Sequence, residues 1–313
     1  MNHIGIDMSK DDFHAAFDEE HVLRFRNTDD GLESFMTFLE DHGYSVSDTK
    51  IGVEATGVYH LLLAMTLSAH EWDIFVINPL ESHRMITQGL RTVKTDRRDA
   101  QKIRTMVSIS RGYLFTDTKE TLALKALVVE RQSLVEMRTA LKQRITAHIL
   151  KEKASGIPFH DGMSEVRESL DTAIKGLEKH MGRYESETQE LLRSIPGIGK
   201  TTAATLVAFI GNIHRFDTPE KLTAYIGLDC RVFQSGTSVN GKGYISKRGN
   251  TYLRHILFTA AFIARQHNPD LQAYFLKKTG EGKHYFSALC AVERKLVHLV
   301  YAVWRRGTPY EKR

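Results

Sequence analysis

Short apolar runs broken by polar turns open the chain, and their spacing is that of strands. HIGIDMS (3–9), FHAAFDE (13–19) and HVLRFRN (21–27) are each apolar or alternating over a strand's length, which predicts three consecutive strands. The period then changes. In GLESFMTFLEDHG (31–43), Leu32, Phe35, Phe38 and Leu39 share one helical face, and Gly43 suits a helix C-terminus. IGVEA (51–55) reads as a strand, VYHLLLAMTLSAH (58–70) as a helix, and WDIFVINP (72–79) as a strand stopped by Pro79. A further helix is predicted from Asp96 to about Ser110.

From about Lys119 the alternation ends. Leu127, Leu134 and Leu141 recur every seven residues, with Met137 and Ile145 between them, so a long amphipathic helix is expected. GIPFHDGM (156–163) breaks it, and a second helix follows with Val166, Leu170, Ile174, Leu177, Met181 and Tyr184 on one face. Such a coiled-coil arm reads equally well as a packed linker or as a self-association device. From about Leu191 a third, mainly α region begins: TYLRHILFTAAFIARQH and LCAVERKLVHLVYAVWRRG are its long helical stretches. Three strands, then helix, strand, helix, strand, helix is the element order of an RNase H-like α/β domain. The expected organisation is an RNase H-like domain over residues 1–112, a helical coiled-coil arm over 113–190, and a mainly α C-terminal domain over 191–313.

Composition narrows the class. At 42% hydrophobic residues the chain suits a globular protein, and no apolar run is long enough to cross a membrane. The N-terminus MNHIGIDMSK lacks the pattern of a signal peptide. Cys230 and Cys290 stand far apart in sequence, which argues against a zinc site or disulfide framework and for a reducing compartment. The expectation is a cytoplasmic protein without a membrane partner. The net charge of +5 is modest, but its distribution is not. No Asp or Glu occurs between Asp229 and Asp270, a stretch carrying Arg231, Lys242, Lys247, Arg248, Arg254 and Arg265. A single-sign segment of that length has the character of a phosphate-facing surface.

Four acids stand out. Asp7 ends the first strand's apolar run, Glu54 ends the strand IGVE, and Asp96 and Asp99 lie three apart in KTDRRDA, where both can face one side of a helix. Singly each is better explained as a cap or ion-pair partner. Together they would repel one another, and a divalent cation relieves that repulsion. Their hard oxygens suit Mg²⁺ (or Mn²⁺), and two such ions serve phosphodiester displacement. Lys94, Arg97 and Arg98 surround Asp96 and either contact a nucleic-acid backbone or neutralise the acids.

Gly197-Ile198-Gly199-Lys200-Thr201 suggests a phosphate loop, but that pattern needs a glycine where Ser194 stands, and no strand precedes it. LLRSIPGIGKTTAATLVAFIG fits a helix-hairpin-helix instead, in which Gly197, Gly199 and Lys200 hold a phosphate without reading sequence. Beyond it, Ser235, Ser238 and Ser246 lie in the acid-free basic region as candidate nucleophiles, with Tyr244 and Tyr252 as phenolic competitors. Spacing does not choose among them.

The blocks IGID, IGVEATGVY, VINP, KTDRRDA, LKALVVERQ, SIPGIGKTTAATLVAFIG and QSGTSVNGKGYISKRGNTYLRH occur in an order that resembles the IS110 family of insertion-sequence transposases, DEDD recombinases guided by a bridge RNA. The resemblance spans nearly the whole chain and is weakest in the middle helical segment. It implies that Asp7, Glu54, Asp96 and Asp99 are a RuvC-like metal-binding tetrad and that Ser235 is the nucleophile joining a DNA end. It further implies DNA, a structured noncoding guide RNA and further copies of the chain as partners, with dimers assembling into a tetramer on the bacterial nucleoid. Two rival readings remain: a hydrolytic RuvC-like nuclease acting on branched DNA, and a non-catalytic RNA- or DNA-binding scaffold.

Overall fold

The computed structural model describes residues 1–55, 57–79, 81–82, 95–158, 162–231, 234–235, 239–240 and 244–311, with only the backbone of Arg231, Gln234, Ser235, Val239, Asn240 and Tyr244 defined. The chain divides into two compact units, Met1–Thr118 and Lys119–Arg313.

The first unit is built on a six-stranded sheet ordered β3-β2-β1-β4-β5-β6. Its strands are β1 (Asn2–Met8), β2 (Asp12–Ala16), β3 (Val22–Arg26), β4 (Thr49–Glu54), β5 (Asp73–Ile77) and the two-residue β6 (Tyr113–Leu114). β1, β4 and β5 run parallel, whereas β2, β3 and β6 are antiparallel to their neighbours. Three helices complete it: α1 (Asp29–Asp41), α2 (His60–Ala69) and α3 (Asp96–Ser108). The predicted order of strands and helices therefore stands, with ends shifted by up to three residues, the largest shift being at β2, which stops at Ala16. β6 was not expected, because two residues carry no readable period.

Alternation along each strand sorts the sheet's two faces. Ile4 and Ile6 of β1, Ile51 and Val53 of β4, and Ile74 and Val76 of β5 are all buried with Leu32, Phe35 and Leu39 of α1 and Leu63 and Leu67 of α2. Phe13, Phe25 and Phe35 lock this layer, with ring centroids 5.1–5.5 Å apart. Ile77 belongs to a smaller core on the other face, packed with Ile103, Met106 and Val107 of α3. Thr28 and Thr95 cap α1 and α3 through their side-chain oxygens.

The second unit is helical: α4 (Lys119–Ser155), α5 (Gly162–Met181), α6 (Glu187–Arg193), α7 (Lys200–Ile210), α8 (Pro219–Ile226), α9 (Thr251–His267), α10 (Pro269–Gly280) and α11 (Tyr285–Arg306). Leu124 and Val128 place the start of α4 in the same core as Leu206 of α7, Leu257 of α9 and Leu296 of α11. Farther along, α4 and α5 form an antiparallel hairpin, as the ion pairs Arg131–Glu178 and Arg138–Asp171 require. Ile174 and Met181 are buried as the helical period predicts, but Met137 and Val166 stand exposed outside the seam. α10 escaped the sequence reading. Among the described residues no helix is long and apolar enough to cross a membrane.

Candidate functional site

The sheet's chemistry begins with a sequence duplicated in space. Ile4-Gly5-Ile6 of β1 and Ile51-Gly52-Val53 of β4 lie in parallel register, residue against residue, and each triplet is followed by an acid, Asp7 or Glu54. Alternation puts each acid on the face of its glycine. That face belongs to α3. A Cβ on Gly5 would lie 2.2 Å from the Ala100 carbonyl oxygen and 2.1 Å from the Arg104 nitrogen; one on Gly52 would lie 2.1 Å from Val107 Cγ2.

Gly5 lets α3 rest on β1 almost backbone to backbone, and Gly52 leaves room for the Val107 and Ile103 side chains. Arg104 Nε also donates to the His3 carbonyl at 3.1 Å. With Ala100 and Arg104 over Gly5 and Ile103 and Val107 over Gly52, α3 crosses β1 and β4 on the face that carries Asp7 and Glu54. Asp96 and Asp99 sit in its first turn. Asp7 and Glu54 thus share the face that α3 covers, and Asp96 and Asp99 belong to that helix.

Their present partners are specific. The buried Ser82 hydroxyl donates to Glu54 Oε2 at 2.7 Å. Lys102 Nζ lies 2.6 Å from Asp99 Oδ1, both side chains being mostly shielded from solvent. Asp96 is exposed, and Arg97 beside it donates to the Glu20 carbonyl. Arg98 is exposed, and Lys94 lies outside the described residues. With Glu54 and Asp99 directed to Ser82 and Lys102, no three acidic, His or Cys side chains converge as a ligand cluster among the described residues. Sequence reasoning missed Ser82 and Lys102, and also His14, which pairs across from Asp7 on β2 and so shares its face. Only Lys102 had a readable signal, its helical i+3 spacing from Asp99.

In the second unit, α6 and α7 flank the turn that carries Gly197 and Gly199. The two glycines of that turn have different duties. Gly197 adopts φ 95°, and a Cβ there would lie 2.6 Å from the Cα of Ala264 in α9, so its absence serves packing. Gly199 caps α7 without a side-chain hydrogen bond, and no atom lies within 4 Å of where its Cβ would be. Gly199 and Lys200 are exposed and line an open depression with Arg193 and Ser194.

The serine segment is framed by two short ladders. β7 (Cys230–Arg231) pairs with β10 (Tyr244–Ile245), and β8 (Gln234–Ser235) pairs with β9 (Val239–Asn240). The Ser235 backbone is therefore in a strand opposite Val239, while Ser238 and Lys242 lie outside the described residues. Ser246 is a structural serine. It is buried, its hydroxyl donates to Asp229, and its own amide donates to the Asp229 carbonyl at 2.8 Å. Tyr252 stacks on Phe209 at 5.2 Å. Lys247 and Arg248 are exposed, whereas Arg254 donates to the carbonyls of Ile226 and Gly249 at 3.0 and 3.2 Å and so also braces the backbone.

Known proteins resemble the chain in both units. A DEDD transposase model of IS110 type matches residues 4–152, and a transposase model of the IS116/IS110/IS902 family matches residues 189–276. The pilin gene-inverting protein of Moraxella lacunata is 29% identical over 99% of this chain and 98% of its own length. The transposase for insertion sequence element IS1111A of Coxiella burnetii is 29% identical over 74% of this chain and 72% of its own. The transposase for insertion sequence element IS1328 of Yersinia enterocolitica is 24% identical over 99% of this chain and 98% of its own.

Proposed function

The chain belongs to the IS110 family of transposases, DNA recombination enzymes, and from that premise we propose an RNA-guided strand exchange in which a metal-bound acidic site and Ser235 act on the same phosphodiesters. The observation that carries this reading is the register of Gly5-Ile6 with Gly52-Val53, which sets Asp7 and Glu54 side by side on the face that α3 covers.

Asp7, Glu54, Asp96 and Asp99 supply hard carboxylate oxygens from two strands and a helix, a donor set that fits Mg²⁺ or Mn²⁺. A divalent ion held there would polarise the scissile phosphate and offset the charge developing on it. Ser82 orients Glu54, and Lys102 stands where it can exchange Asp99 for a substrate phosphate. Ser235 Oγ attacks phosphorus, the P–O bond to the leaving strand breaks, and the serine proton ends on the released hydroxyl. A second strand's hydroxyl then attacks the phosphoserine, and Ser235 recovers a proton. The number of phosphodiester bonds is conserved, so no external energy source is needed.

The exposed basic groups take the backbone: Arg98 near the acids, Gly199 and Lys200 at the start of α7, and Lys247 and Arg248 beside the serine segment. The hairpin of α4 and α5 serves assembly of further copies, with the acids of one chain completing a site with Ser235 of another.

The deciding experiment is a denaturing gel of the protein with its flanking transcript, Mg²⁺ and labelled element-end DNA. Wild type is expected to give a heat-stable protein–DNA band that Ser235→Ala and Asp96→Ala both lose. Cutting by wild type and Ser235→Ala alike, with no adduct, would replace this reading with a hydrolytic nuclease.

A further inference from the structure

A cavity of about 680 Å³ opens in the second unit between α9, α11 and the β7–β10 ladder. Its rim is basic, with Lys247, His255, Lys283 and Arg294 around it. Phe258 and Phe286 form an apolar wall, their rings 6.3 Å apart and inclined by 29°, and Phe286 is 60% exposed. Glu293 belongs to the lining, yet it is only 2% exposed and its Oε1 has no hydrogen-bond partner.

Each of these is costly or unexplained alone. A buried carboxyl oxygen without a partner loses its hydration and gains nothing in exchange. Burial pushes the Glu293 carboxyl up to about 8, with Arg254 opposing, so at neutral pH it carries a proton and can donate as well as accept. A large exposed phenylalanine beside cations offers a flat face to something planar and anionic.

One chemical class answers all three features: a nucleotide, with a stacking face, a hydrogen-bonding edge and a phosphate. The volume lies within the range of ligand sites, roughly 300–1,000 Å³. A base inside a duplex cannot present its face to Phe286, so the nucleotide has to be unpaired. The cavity's place in the chain agrees, because Cys230 and Ile245, which pair across the ladder at the root of the serine segment, both line it.

We propose that this cavity receives an unpaired nucleotide of the DNA strand beside the serine segment, its base against Phe286, its edge at Glu293 and its phosphate among Lys247, Lys283 and Arg294. The inference rests on the reading that the second unit handles a DNA strand, but not on covalent chemistry at Ser235.

The test uses the full-length protein with a short labelled single-stranded oligonucleotide and a duplex of the same sequence, read by fluorescence anisotropy at fixed salt. Phe286→Ala should weaken single-strand binding by ~5- to 100-fold, the range for losing one base stack, and leave duplex binding within about twofold. An unchanged single-strand affinity, or an equal loss for the duplex, would overturn the proposal. A second measurement keeps the acid accountable. Raising pH from about 7 to about 9 should weaken wild-type binding as Glu293 ionises, and Glu293→Gln should remove that part of the fall. Cys230, Cys290, His255, Lys247, Lys283, Arg254 and Arg294 face the same space in both proteins, so equal falls would overturn the role of Glu293. Loss of the Ser235 adduct with the pocket intact would sink the strand-transfer chemistry alone; an adduct formed with the pocket silent would sink the pocket alone.

Discussion

Gly5 and Gly52 stand side by side in parallel register, and at each of them helix α3 already occupies the place of a Cβ. The two are not equivalent. At Gly5 the obstacle is backbone, the Ala100 oxygen and Arg104 nitrogen, whereas at Gly52 it is the Val107 side chain, which can turn.

Gly5→Ala is therefore expected to cost roughly 3 kcal/mol or more, at or above the upper end for overpacking, and Gly52→Ala about 1–3 kcal/mol. Gly176, in α5 with no atom near its Cβ position, is the contrast: Ala there should stabilise by up to about 1 kcal/mol. Thermal unfolding of the three variants decides it. A Gly5→Ala protein as stable as wild type would mean that α3 does not rest on β1 as described.

The Asp99–Lys102 pair makes a prediction about metal. Lys102 holds a carboxylate that a divalent ion would need, so Lys102→Met should lower the Mg²⁺ concentration required to raise the melting temperature of the DNA-free protein. Asp99→Asn should raise it. The readout needs no catalysis. If Lys102→Met left the Mg²⁺ dependence unchanged, or weakened it, Asp99 would not be a competing ligand.

Strands and helices long enough to show a period were legible in the sequence, and so were the acids, because Asp7 and Glu54 interrupt apolar strands. What joins them was not. That Asp7 lies beside Glu54 depends on a strand register, and that α3 covers both depends on two glycines whose meaning is the absence of a side chain. Ser82 reaches Glu54 from 28 residues away, a contact no local pattern encodes. Glu293 looked like an ordinary charged position in an amphipathic helix; only its burial among α9 and α11 neighbours marks it out. Among the serines, composition treated Ser235, Ser238 and Ser246 alike, and the fold separates Ser246 by tying it to Asp229.

That separation is testable. Ser246→Ala should cost about 1–3 kcal/mol, since it leaves the Asp229 carboxylate short of a buried donor. Ser235→Ala should leave the melting temperature within about a degree, while abolishing the covalent adduct proposed above. An adduct that survives Ser235→Ala but disappears with a stably folded Ser246→Ala protein would transfer the nucleophile's role to Ser246.

Glu293 also fixes how stability should vary with pH. In the unfolded chain its carboxyl ionises near the ordinary 4.5, whereas burial holds the proton in the folded protein up to about 8. Between those values the native state binds a proton that the unfolded state has released. Stability from this group is thus fully present below about 4.5 and declines as pH rises, by at most about 1.4 kcal/mol per unit, until the folded carboxyl itself ionises. Glu293→Gln has no proton to lose, so its melting temperature should gain on wild type steadily from about pH 5 to about pH 8 and hold level above that. A difference that stayed constant across the range would show that Glu293 titrates as an exposed acid, and the buried carboxyl at the floor of the cavity would have to be given up.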